Sequence, residues 1–367
     1  MPSSEPATMT VSQRIAREVR SAILEGQHAP HSRLPSYREI CARYGASLNT
    51  VRRALDTLEK EGLLYRRERA GAFVRAPSTP RATGLKCINF FQAPQPPERH
   101  RFQADYLVGY TRALEHHNIK MRFIVCADNT PASESLLSDQ FSFAEQGCVF
   151  ADTIPPAILA WLHERSIPAV VHYYTPYSPA GLPPHHRVCI NKVGAFFDAT
   201  RHLLNLGHRR IGITSLRRLT PAPGPEYEGY ASALRAAGLD PDPALCLPWF
   251  TEDPGRVEEP LLAFLRRPNR PTAIIAGNDA TAIAILNAAR QLGVSVPGQL
   301  SVVGYQDIPE AAAAVPPLTT MLSPKRLQGQ TAVEMLLTAA GGDGEFKDQV
   351  IHCRLIERQS SAPPESR

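Results

Sequence analysis

The chain has 367 residues, 43% of them hydrophobic and 20% charged, with a net charge of +5. That balance fits a folded soluble protein of two or three domains and excludes a disordered one. No apolar run approaches the ~18–20 residues of a membrane span, and the polar opening MPSSEPATMT lacks the basic and apolar regions of a signal peptide.

These features predict a cytoplasmic protein with no membrane partner. Seven scattered cysteines, an odd number with no close pair, suggest reduced and mostly buried thiols rather than a disulfide framework or a zinc knuckle. The surplus of positive charge is local. Residues 11–75 hold 13 Lys/Arg against 7 Asp/Glu, whereas residues 76–367 hold 27 of each. A small basic module on a neutral body is the footprint of polyanion binding.

In chain order, Val11 to Gly26 reads as a helix, with Ile15, Val19 and Ile23 at four-residue spacing. Ser36-x-x-Glu39 is a capping box that starts a second helix, with Ile40 and Tyr44 inward and Gly45 as its stop. Ser47 caps a third helix, Ser47–Lys60, with Val51, Leu55 and Leu58 as its buried stripe and Gly62 beyond its end. Leu63 to Tyr65 predicts a short strand, RRERAG a turn, and AFVRA a returning strand. Two helices a few residues apart, followed by a hairpin, make a helix-turn-helix with a wing. The third helix would then present Asn49, Thr50, Arg52 and Arg53 at an N-terminus suited to phosphate. A major groove admits one helix.

The stretch LPSYREICARYGASLNTVRRALDTLEKEGLLYRRERAGAFV resembles the winged helix-turn-helix of GntR-type bacterial regulators. The matching motifs are L-P-S-x-R-E at Leu34–Glu39, T-V-R-R-A-L at Thr50–Leu55, L-x-x-E-G-L-L at Leu58–Leu64 and G-x-F-V at Gly71–Val74. The resemblance implies that Arg38, Ser47, Asn49, Thr50, Arg52 and the wing-tip Gly71 touch double-stranded operator DNA. Leu48 stands where many relatives carry a base-reading Arg, and Arg69 and Ala72 replace the usual Gly and Thr of the wing. Leu48, Arg53 and Arg69 complete the candidate DNA-binding set.

APSTPRATG, rich in Pro, Ser and Thr, reads as a linker, placed at residues 76–85. Beyond it, the apolar runs CINFF, MRFIVC, GCVFA, PAVVHYY, RRIGITS, PTAIIAG and LSVVGYQ alternate with helical stretches at Tyr106–His116, Ala195–Leu206, Tyr227–Ala237 and Asp279–Leu292. This rhythm predicts an α/β body of parallel sheets covered on both faces, large enough for two lobes, with a ligand cleft at the strand ends. The final residues, 359–367, are expected to form a disordered tail.

HLLNLGHRRIGI and PTAIIAGNDATAIAILNAARQLGVSVPGQLSVVGYQDIP resemble the LacI/GalR-type effector domain, which is similar to periplasmic sugar-binding proteins. The resemblance covers residues 86–358 and implies a two-lobed Rossmann-like fold, a homodimer, and a small-molecule effector held between the lobes. It puts Asn278-Asp279 at the cleft. Glu226 replaces a ligand-binding Arg, Gln306 replaces an Asp, and Asn191-Lys192 replaces the usual Asp-Asn. A carboxylate accepts two hydroxyl donors where Gln offers one acceptor and one donor, so the hydrogen-bonding pattern of the cleft is expected to differ. The effector could be a sugar, a sugar derivative or a cation drawn by Glu226. Glu226 could equally open its helix, where an acid suits the dipole. Phe91 and His172, at strand ends, complete the candidate effector set. Trp161 and Trp249 read as core, and the pairs His116-His117 and His185-His186 as solvated.

No nucleophile elbow, P-loop, H-E-x-x-H or G-x-G-x-x-G is present, so no enzyme, cofactor or metal site is expected. The reading is a sequence-specific transcription regulator under effector control, with repression its expected mode. The alternative is a small-molecule binding protein whose N-terminal module serves dimerisation.

Overall fold

The structure is a computed structural model. It describes residues 10–365 except 25–26, 30–31, 61–62, 68–70, 75–83, 93–99, 116, 126–144, 152–153, 155, 174–181, 215–223, 249–250, 252 and 342–345. The expectations for Gly26, Gly62, Arg69, His116, Trp249 and most of the linker lie outside the described residues. The chain divides into two compact units, Met1–Ala82 and Thr83–Arg367.

The first unit contains α1 (Val11–Leu24), α2 (Tyr37–Tyr44), α3 (Leu48–Lys60), β1 (Leu64–Arg67) and β2 (Gly71–Val74). Ser36 and Glu39 form the full capping box of α2, and Gly45 ends it in the left-handed conformation at φ 58°. The third helix starts one residue later than expected because Ser47 is its cap, its hydroxyl accepting from Thr50 N at 3.2 Å. Ile15, Val19, Leu34, Ile40, Val51, Leu55, Leu58, Leu64, Ala72 and Val74 share one core. The strands pair antiparallel, Leu64 opposite Val74 and Arg67 opposite Gly71.

The second unit holds, in chain order, β3 (Cys87–Gln92), α4 (His100–Leu114), β4 (Lys120–Val125), β5 (Gln146–Ala151), α5 (Pro156–Glu164), β6 (Ala169–Tyr173) and β7 (His186–Asn191). Then come α6 (Lys192–Asn205), β8 (Ile211–Thr214), α7 (Pro225–Ala236), β9 (Cys246–Leu247), α8 (Glu259–Arg266), β10 (Ala273–Ile275) and α9 (Asp279–Gln291). Last are β11 (Ser301–Gln306), α10 (Pro309–Ala313), β12 (Thr319–Leu322), α11 (Lys325–Ala340), β13 (Asp348–His352) and β14 (Arg354–Ile356). Two six-stranded sheets result, in the orders β13-β7-β6-β5-β3-β4 and β14-β12-β11-β10-β8-β9. Every pairing is parallel except β12 with β14.

Each sheet is buried on both faces, which is why its strands read as continuous apolar runs. In the first sheet Ile88, Phe90, Val149, Val170 and Val188 pack under α4 and α11, while Phe91, Phe150, Val171 and Cys189 pack under α5. In the second, Ile211, Ile213 and Val303 face α6 and α7, and Ile274 and Val302 face α8 and α9. The helices approach closely: a Cβ on Gly229 of α7 would lie 2.1 Å from the Val193 carbonyl oxygen of α6. The chain passes between the lobes three times: from β7 into α6, from β12 into α11, and from β13 into β14.

Two expectations are corrected. Residues 359–365 are not a disordered tail. Ser360 is buried, its hydroxyl donating to Val302 O at 2.6 Å and accepting from Thr319 N at 2.8 Å. Ala362 O accepts from Ser301 Oγ at 3.0 Å and lies 2.9 Å from His208 Nε2. The tail is polar because it bonds to the amino ends of β11 and β12, not because it is solvated. Likewise His185 and His186 are buried rather than solvated; His185 lies 3.0 Å from the Tyr173 hydroxyl, and His186 accepts from Lys347 N at 3.2 Å. Trp161 packs against the α5 core as expected. No described helix is long and apolar enough to cross a membrane.

Candidate functional sites

The exposed tip of α3 is the first site. Val51, Ala54, Leu55 and Leu58 are buried, while Ser47, Leu48, Asn49, Arg52 and Arg53 are exposed and Thr50 is half-buried. Ser47 and Thr50 are committed to the cap, with their hydroxyl oxygens 2.9 Å apart. Asn49, Arg52 and Arg53 therefore carry the free polarity of this turn. Leu48 is 46% exposed, an apolar group on a polar tip with no core to serve. Arg38 is exposed on α2, and Gly71 opens β2 at φ 104°. Among the described residues, no acid lies within ion-pair distance of Arg38, Arg52 or Arg53. Arg66 by contrast pairs with Asp56 and with Glu59 at 3.2 Å.

The second site lies at the carboxyl ends of the strands. There the sequence-derived residues separate into two groups. Phe91 is core: its ring stacks on Phe150 at 4.7 Å beneath α5. Asn278 caps α9, accepting from Thr281 N at 2.7 Å and donating to Thr251 O at 3.0 Å. Asp279 is wholly buried, accepting from Ile308 N at 2.8 Å and Thr320 Oγ1 at 2.5 Å. The polar atoms of both are thus engaged by the protein itself. His172 is buried beside the rings of Tyr106 and Tyr110, at 5.2 and 5.9 Å, and neither ring nitrogen has a hydrogen-bond partner among the described residues. Burial pushes its pKa down to about 3, so it stays neutral.

Glu226 and Gln306 differ. Glu226, in the first turn of α7, accepts from Lys192 Nζ at 2.5 Å, and both side chains are nearly buried. The ammonium also sits 5.2 Å from the centroid of Tyr305. Lys192, noted from the sequence only as a departure, was left out of the candidate effector set. Its signal was present as a reciprocal change, an acid at 226 where the resemblance puts an arginine and a lysine at 192. Gln306 ends β11 with φ 124°, followed by Asp307 at φ 61°, a conformation non-glycine residues adopt at a cost. Asp279 holds this turn through Ile308 N, and Arg358 holds it through Asp307 at 2.7 Å. Gln306 Oε1 is buried and has no hydrogen-bond partner among the described residues.

Burial, opposed by the Thr320 and Ile308 hydrogen bonds, pushes the Asp279 carboxyl up from 3.8 to about 6. The native state then binds a proton that the unfolded chain releases. This contribution to stability is fully present below pH 3.8 and is lost as pH rises through 6. Two pKa units correspond to about 2–3 kcal/mol. Asp279→Asn can still accept from Ile308 N and donate to Thr320, so its unfolding free energy should fall less than the wild type's between pH 4 and 7. Urea titrations across that range test this, and parallel curves for the two proteins would refute it.

With this geometry in view, the match to known families is direct. The model of the bacterial regulatory proteins of the gntR family covers residues 11–74. That of the periplasmic binding protein-like domain covers residues 200–361. The chain joins a gntR-family helix-turn-helix domain to a periplasmic-binding-protein-like effector domain. It is a DNA-binding transcription regulator controlled by a small-molecule effector. The arabinose metabolism transcriptional repressor of Halalkalibacterium halodurans is 28% identical over 96% of both chains. The HTH-type transcriptional repressor PurR of Escherichia coli is 33% identical over 58% of this chain and 62% of its own length. Among solved structures, a regulatory protein of the LacI family from Chloroflexus aggregans matches with TM-score 0.64 at 22% identity, covering 75% of this chain and 98% of its own. The transcriptional regulator CelR in complex with cellobiose matches with TM-score 0.61 at 21% identity, covering 97% and 100%. The last two show the shared fold.

Proposed function

We propose that this regulator is a homodimeric cytoplasmic repressor whose effector is a sugar or sugar derivative held between the lobes. Each subunit lays α3 in a major groove, with Asn49 and Arg52 reaching base edges and phosphates and Leu48 offering methyl groups where relatives offer a guanidinium. The observation that carries the reading is the division of α3 into a fully buried stripe and a basic tip with no acid at ion-pair distance among the described residues. The full-length likeness to an arabinose metabolism repressor supports both the mode and the sugar class. In the cleft, sugar hydroxyls would donate to Gln306 Oε1 and to the Glu226 carboxylate and accept from Lys192, with Glu226 and Lys192 keeping their mutual ion pair. The effector acts by binding two arrangements of the lobes with different affinity.

Selection of duplexes from a random pool by the full chain, with sedimentation of the complex, tests the assembly. The expected product is a two-fold motif with half-sites about one helical turn apart, bound by a dimer. A monomer on an asymmetric motif would overturn it. A thermal-shift panel of pentoses, hexoses, disaccharides and purines tests the effector; stabilisation by a purine and by no sugar would end the sugar assignment.

A further inference from the structure

The segment before α2 pairs with the wing at an isolated bridge. Ser32–Leu34 runs along β2, with Arg33 bridged to Phe73, Leu34 N donating to Ala72 O at 2.9 Å and Val74 N donating to Ser32 O at 3.0 Å. Strand alternation then sorts the side chains. Leu34, Leu64, Ala72 and Val74 enter the core, while Arg33, Tyr65, Gly71 and Phe73 share the outer face. Tyr65 and Phe73 stack there at 5.6 Å. Arg33 is exposed, and its guanidinium lies along Gly71: a Cβ at that glycine would stand 3.3 Å from Nε and 3.7 Å from Nη2. At φ 104° the position also disfavours any side chain. Gly71 therefore clears a seat for Arg33.

Nothing among the described residues neutralises this guanidinium at ion-pair distance. Its influence reaches Glu39, but that carboxylate already accepts from Ser36 N at 2.6 Å. Arg66, on the same hairpin, is tied to Asp56 and Glu59. Among the described residues, one wing arginine is thus paired and Arg33 has no acid at ion-pair distance, while backbone bonds anchor it on both sides. A guanidinium held beside β2, away from the tip of α3, suits the sugar-phosphate backbone rather than a base edge.

We propose that Arg33, seated against Gly71, binds a phosphate of the DNA strand running beside the wing. This rests on the DNA-binding reading above. The test is fluorescence anisotropy of the full chain on the wild-type-selected duplex between 50 and 300 mM KCl. For Arg33→Ala, the slope of log K against log salt should fall by ~0.9 per subunit, the contribution of one released phosphate contact. The selected motif should stay the same. Arg33→Lys should keep the slope. Gly71→Ala should weaken binding in the wild-type background and have a smaller effect once Arg33 is alanine, because the seat then holds nothing. An unchanged slope in Arg33→Ala would overturn the proposal, as would a changed motif, or equal losses in the alanine and lysine variants. A wild-type chain that binds neither selected nor sonicated DNA is a different result, and would sink the DNA-binding reading itself.

Discussion

Arg52→Ala is expected to weaken operator binding by roughly 30-fold or more and leave the melting transition of the second unit where it is. The side chain is exposed on α3 and makes no ion pair with any described residue, so its removal costs the fold little. Alanine is also the better helix former. The loss falls on recognition. A well-placed arginine contact is worth about 1–3 kcal/mol, and a dimer loses two of them. The sum is about 2–6 kcal/mol, or roughly 30-fold to more than 10⁴-fold in affinity. The top of that range reaches the separation between specific and non-specific binding, about 10³–10⁷. Anisotropy on the selected duplex and on a scrambled one measures both terms. Binding within a factor of three of wild type would remove α3 from the recognition surface. A large loss accompanied by a lower melting temperature of the first unit would make Arg52 a structural residue instead.

Much of this architecture was legible in the sequence for reasons that can be named. The capping box at Ser36–Glu39, the αL glycine at Gly45 and the stripe of Val51, Leu55 and Leu58 fixed the first unit almost residue by residue, because each is a local signal. The bridge of Ser32–Leu34 to β2 was not legible: it is defined by backbone bonds to β2 and has no alternating pattern of its own. In the second unit, the central strands stood out as apolar runs. The edge strand β13, with four of its five residues exposed, did not. Side-chain direction was the weakest inference. Phe90 and Phe91 are adjacent and enter opposite cores, so a strand end alone does not send an aromatic to a ligand. Asn278 and Asp279 follow β10 and open α9, but sequence could not show that Thr281, Thr251, Ile308 and Thr320 would engage their polar atoms. The Lys192–Glu226 pair appeared as two separate departures from a pattern, 34 residues apart.

That pair supplies the other large effect. Glu226→Leu alone should destabilise the chain by about 3–5 kcal/mol, because it strands a nearly buried ammonium without its counter-charge. The faces of Tyr305 and Phe196, at 5.2 and 6.0 Å from Lys192 Nζ, recover only part of this. Lys192→Met with Glu226→Leu removes both charges while keeping volume, and should return stability to near the wild-type value, since burying two ions costs nearly what their attraction returns. The same double variant separates structure from function. It keeps the fold around Gln306 but deletes a carboxylate and an ammonium at the strand ends, so the thermal shift given by any sugar found to stabilise the wild type should vanish if the proposed cleft binds it. Chemical denaturation of the two variants and the wild type measures the first effect, and thermal shift with and without that sugar measures the second. If single and double variants are equally unstable, packing rather than charge governs the site. If the double variant is stable and still responds to the sugar as the wild type does, Lys192 and Glu226 hold the lobe together and take no part in the effector's recognition.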